Sequence, residues 1–161
     1  MSVEVVIEDK RWEAAGLERL AGRAVEGVFA RLGLDPDVWE VVVLGADDAR
    51  VAELNGQFRG KAQATNVLSW PSEERGAGTP GTDPDPPAGN PELGDIALAW
   101  ETCAREAAEQ GKTEEQHFLH LIVHGVLHLL GYDHVREGDG DLMESHETAI
   151  LAALGVPDPY D

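Results

Sequence analysis

Basic side chains are scarce in this sequence. Twelve Lys and Arg stand against 31 Asp and Glu in 161 residues, a formal net charge of −19. A phosphate backbone would meet net repulsion, so a nucleic-acid binder of the usual basic-tail kind is excluded. Avid attachment to anionic membranes is not expected either. Cysteine is nearly absent: Cys103 stands alone, which rules out an internal disulfide and suits a reducing cytoplasm. No apolar run reaches the roughly 20 residues that cross a bilayer. The opening MSVEVVIEDKRW has no basic stretch leading into an apolar one, so no signal peptide is expected. What is present is 42% apolar residues, enough for one packed core. The expectation is a soluble, cytoplasmic single domain over 1–161.

The chain reads as an α+β fold: a small four-stranded mixed sheet packed with about five helices. Val3, Val5 and Ile7 alternate as a first strand. Residues 12–32 switch to helical spacing, with Leu17, Ala21, Ala24, Val28 and Leu32 on one stripe and Gly33 as the stop. Residues 38–44 are apolar and β-branched, a buried strand. Asp47 can cap a short helix carrying Val51 and Leu54. Residues 65–70 give a third strand closed by Pro71, and Ile96, Leu98 and Trp100 alternate as a fourth. Between them, residues 71–91 carry Pro71, Pro80, Pro84, Pro86, Pro87 and Pro91 among several glycines. This predicts a long flexible loop. Helices follow at 101–110, 114–130 and 138–154. Thr113 and Gln116 form a capping box for the second of these.

Five of the six histidines fall in one stretch, HFLHLIVHGVLHLLGYDH, at positions 117, 120, 124, 128 and 134. His124 and His128, four apart on a helix, share one face at the spacing that lets two imidazoles bind one metal. His120 cannot be the third ligand. It stands about 12 Å from His128 along the axis, whereas a metal reaches only about 2.1 Å to each nitrogen. Gly131 can turn the chain back, so His134 can approach from off the helix. The predicted set is His124-x3-His128-x5-His134. Three imidazoles leave a fourth position for water, the coordination of a catalytic zinc site, where the pKa of water falls to about 7. His117 and His120 are expected to pack or to support the ligands, and His146, on the last helix, to stand off the site.

The spacing is shared with zinc peptidases, whose motif is H-E-x-x-H. Here Gly125 follows the first histidine, so the peptidase general base has no carboxylate. A mid-helix glycine costs helix stability and calls for a packing reason.

HGVLHLLGYDH (124–134) resembles the signature of the YbeY family of bacterial metallo-endoribonucleases. LNGQFRGKAQATNVLSW (54–70), LGDIALA (93–99) and MESHETAIL (143–151) resemble further family segments in the same order. The resemblance implies a zincin-like metal helix, with His124, His128 and His134 as ligands of one Zn2+ or a similar divalent cation. It implies that Arg59 assists catalysis. It implies cleavage of single-stranded RNA, work on the 3′ end of small-subunit ribosomal RNA, and ribosome quality control with ribosome-associated partners. No DNA substrate and no membrane are expected.

The chemistry needs a nucleophile and charge stabilisation on phosphoryl oxygens. A metal supplies the first, and the guanidinium of Arg59 matches phosphate oxygens in a bidentate fork. Arg50, Arg59 and Lys61 fall within twelve residues where Glu53 is the single acid. They offer a local positive lip or a solvated edge. With the rest of the surface repelling, affinity for naked RNA is expected to be weak and to depend on the metal, Arg59 and a partner. Two other functions fit parts of the pattern: a zinc peptidase, and a non-enzymatic ribosome-assembly factor whose metal is structural.

Overall fold

A computed structural model describes residues 2–59, 65–73, 75, 81–133 and 138–160, with Phe58 and Arg59 described in their backbone alone. The order is β1 (Val3–Ile7), α1 (Lys10–Ala14), α2 (Leu17–Leu32), β2 (Glu40–Ala46), α3 (Asp48–Arg59), β3 (Val67–Pro71), β4 (Glu92–Ala99), α4 (Trp100–Glu109), α5 (Glu114–Leu129) and α6 (Asp139–Ala153). The sheet runs β1-β2-β4-β3. β1 and β4 pair in parallel with β2, and β3 joins β4 antiparallel. The mixed four-stranded α+β architecture is therefore as the sequence predicts.

Four details depart from the sequence reading, the least of them that β3 starts at Val67, two residues later than expected, and includes Pro71. The first predicted helix is two, because Gly16 sits at φ +78° and interrupts the ladder before Leu17. That left-handed step costs glycine little. It lets the short α1 swing Trp12 into the core, where its indole N–H donates to the Ala46 carbonyl at 2.8 Å. The second strand starts two residues later than expected. Val38 is exposed, so β-branched character alone did not make it strand. The fourth strand starts earlier and ends at Ala99, since Trp100 already opens α4.

Pleating sorts the sheet's side chains into two layers. Val41, Val43, Ile96 and Leu98 face α2 and α5 in the main core. Ala46, Leu68, Ala97 and Ala99 face α3 on the other side, against Val51 and Leu54. Asp47 caps α3 as predicted, its Oδ1 accepting from the Arg50 N–H at 2.8 Å. Trp12, Trp100 and Phe118 close the main core with ring centroids 4.7–5.6 Å apart.

α5 is the central helix. Its capping box is formed as predicted, Thr113 Oγ1 accepting from Gln116 N–H and the Gln116 side chain returning to Thr113 N–H. From 117 to 130 every residue is buried except His120, His124 and His128. The one partly open stripe of the core helix is thus a row of histidines. The helix lies tightly on the sheet because position 125 has no side chain: a Cβ there would stand 3.1–3.3 Å from three atoms of Ile96. That contact is the packing reason the glycine calls for.

Candidate metal centre

His124 and His128 point their Nε2 atoms at each other, 3.0 Å apart. Two nitrogens bound tetrahedrally to one zinc stand about 3.4 Å apart, given bonds of about 2.1 Å. The i, i+4 geometry thus converges as the spacing predicts. Behind His124 lies Glu147 from α6, fully buried. Its Oε1 is 2.5 Å from His124 Nδ1. Burial opposes ionisation of Glu147, but the polar contacts from His120, His124 and Tyr160 outweigh it and bring its pKa down to about 2.

An ionised carboxylate can only accept, so Nδ1 of His124 must carry the proton. When the ring is neutral, its lone pair lies on Nε2, aimed at the point shared with His128. A proton between the two nitrogens or a cation held by both satisfies that arrangement. A carboxylate behind a ligating histidine is the usual outer partner in metal sites, fixing both tautomer and ring direction. The donor set therefore fits a divalent metal.

The third predicted ligand, His134, lies outside the described residues. Among the described residues no group of three or more His, Cys, Asp or Glu side chains is placed to hold a metal ion. The chain does turn where it was expected to: α5 ends at Leu129, and Gly131 follows at φ +102°. Arg59 closes α3, and its side chain is outside the described residues, as is Lys61. Arg50 is no free member of a positive lip. Its guanidinium pairs with Glu8 at 3.2 Å and with Glu53 at 2.8 Å.

The remaining histidines take supporting places. His120 Nε2 stands 3.8 Å from Glu147 Oε1. His117 Nε2 bonds Glu106 Oε1 at 3.0 Å, and Asn66 donates to the same carboxylate at 3.1 Å. His146 stands off the two facing nitrogens. Its Nε2 meets Asp83 Oδ1 at 2.7 Å, and its Nδ1 accepts from Arg31 Nε at 3.2 Å. Asp83 also accepts from the Tyr132 hydroxyl at 2.6 Å. The segment after β3, which forms no helix or strand among its described residues, is thereby tied to the turn that follows α5.

Sequence reasoning missed Glu147, Tyr160 and Asp83. Glu147 left a trace: it occupies a position on the buried stripe of α6 with Met143, Ile150 and Leu151. An acid there needs a partner inside the protein.

The sequence profile of the family described as Endoribonuclease YbeY matches residues 3–155. The chain belongs to the YbeY family. The chain is 63% identical to Endoribonuclease YbeY of Cereibacter sphaeroides over 98% of each chain. It is 53% identical to that of Ruegeria sp. (strain TM1040), over 99% of this chain and 96% of the relative. The solution structure of TM1509 from Thermotoga maritima superposes with a TM-score of 0.57 over 99% of both chains, at 24% identity, and shares the fold. The YbeY relatives are named as endoribonucleases. Among the described residues of this YbeY chain no helix is long and apolar enough to cross a membrane.

Proposed function

We propose that the chain is a metal-dependent endoribonuclease of the cytoplasm, acting as one unit over 1–161 on single-stranded ribosomal RNA. The substrate is the 3′ end of small-subunit rRNA, with a further role in ribosome quality control alongside ribosome-associated partners. His124, His128 and His134 hold one divalent cation, Zn2+ in the first place, and Arg59 assists catalysis. The observation that carries this reading is the pair of facing Nε2 atoms with Glu147 fixed behind one of them.

When bound, the cation supplies a Lewis acid that ionises water at neutral pH and offsets phosphoryl charge. The protein's own share is orientation. Glu147 keeps His124 in the Nδ1–H tautomer. α5, buried on every other side, holds the two rings in place without rearrangement. Arg59 offers a planar fork to two phosphate oxygens. The net charge of −19 repels RNA too, so binding depends on these few contacts and on a partner that presents the RNA.

A peptidase is disfavoured by Gly125: no carboxylate stands where the general base belongs, and a Cβ there would crowd the Ile96 side chain. The test is elemental analysis of purified wild type and His134→Ala, together with cleavage of single-stranded RNA by His124→Ala and Arg59→Glu. One metal per chain, lost in His134→Ala, and folded but inactive variants are expected. Unchanged cleavage by both variants, with contaminating nucleases excluded, would sink the proposal. Chelation that unfolds the protein would favour the structural-metal reading instead.

A further inference from the structure

Tyr160 lies beyond the residues 3–155 that the family profile matches, yet its hydroxyl reaches the candidate metal centre. It donates to Oε2 of Glu147 and stands 3.3 Å from His120 Nε2. Its ring meets His120 edge-on, with centroids 5.5 Å apart. The other oxygen of the same carboxylate takes the Nδ1–H of His124. One buried carboxylate therefore joins the C-terminal segment to a candidate ligand.

The segment is fastened at several points. Val156 is buried. Lys112 Nζ donates to the Pro159 carbonyl at 3.3 Å. The Tyr160 N–H donates to Asp158 Oδ1 at 2.9 Å, and Thr148 Oγ1 donates to the same oxygen at 3.4 Å.

A carboxylate held through one oxygen can still rotate about its terminal bond, since that torsion is broad. A donor on the second oxygen fixes its plane. With the plane fixed, Oε1 holds the His124 N–H along one direction, and the ring's Nε2 lone pair stays aimed at His128. We propose that Tyr160 is a positioning residue of the metal centre: it locks Glu147, and through Glu147 it orients His124 for the cation. This rests on the reading that His124 binds a divalent metal. The hydroxyl is the working part, and the ring's contact with His120 is not sufficient.

Tyr160→Phe tests this, because it keeps the ring and removes the hydroxyl. Affinity is read by titrating metal-free full-length protein with Zn2+ against a chelator, and ligand geometry by the visible absorption of the Co2+ form. Thermal unfolding of the metal-free protein is the control. The expected result is about a tenfold loss of Zn2+ affinity, the low end for outer partners of metal ligands. It comes with an altered Co2+ spectrum and a lower metal-free melting temperature, because buried Glu147 loses one of its donors. Wild-type affinity and spectrum in Tyr160→Phe would overturn the inference while leaving the metal site standing. A variant that loses metal-free stability but keeps the Co2+ spectrum would assign Tyr160 to packing and also overturn it. Wild-type protein that takes up neither ion would overturn the reading of the site, and this inference with it.

Discussion

Glu147 Oε1 lies 2.5 Å from Nδ1 of His124, across the 23 residues that separate α6 from the middle of α5. The carboxylate is fully buried, and its charge is tolerated because the site around it donates. Glu147→Gln keeps the volume and removes the charge. The amide no longer compels His124 to carry its proton on Nδ1. Metal affinity is expected to fall about 10–100-fold, with a parallel loss of RNA cleavage at limiting metal. Isothermal titration with Zn2+ checks this, and wild-type affinity in the variant would count against the role.

Gly125→Glu writes the peptidase motif into α5 at a tightly packed position. A Cβ at 125 already crowds the Ile96 side chain, and a carboxylate at this buried position would lose its hydration. The variant is expected to lose more than about 3 kcal/mol of stability and to gain no peptidase activity. Denaturant unfolding and a peptide-library assay check the two halves.

His117 gives stability a pH dependence. Burial lowers its pKa below the ordinary 6.5, against the opposing hydrogen bond to Glu106. The folded protein therefore holds fewer protons at this site than the unfolded chain just below pH 6.5. Its contribution is complete above pH 6.5 and declines as pH falls toward the lowered folded value. His117→Gln cannot titrate. Melting temperatures of the metal-free proteins between pH 7.5 and 5.5 should fall less steeply in the variant.

Cys103 is buried, and its thiol pKa is pushed up by that burial and by the nearby Glu106 charge. A thiol held protonated and covered is a poor nucleophile. Native protein should react with a thiol reagent far more slowly than denatured protein. Equal rates would show that α4 opens readily.

The sequence pattern carried the strands, the long helices and the capping box because each rests on local periodicity. It carried the His124–His128 pair because four residues on a helix is a fixed distance. Gly16 escaped notice because a glycine inside helical spacing looks like a tolerated residue until its φ is known. Val38 misled because β-branching marks a strand only when a neighbour covers it. Glu147 and Tyr160 are local to nothing they touch at the site. Their partners are each other and the histidines of α5, and tertiary packing alone brings them together. Asp83 is hidden in the same way, inside a proline-rich stretch that advertises only the absence of regular structure.

Chain order has a consequence for when the metal centre comes into being. The ligand row on α5 is made before α6, and Glu147 and Tyr160 follow it in the chain. During N-to-C synthesis the imidazoles of His124 and His128 exist well before the carboxylate that orients one of them. A ribosome translating this chain thus carries an unfinished centre until Glu147 and Tyr160 have been added.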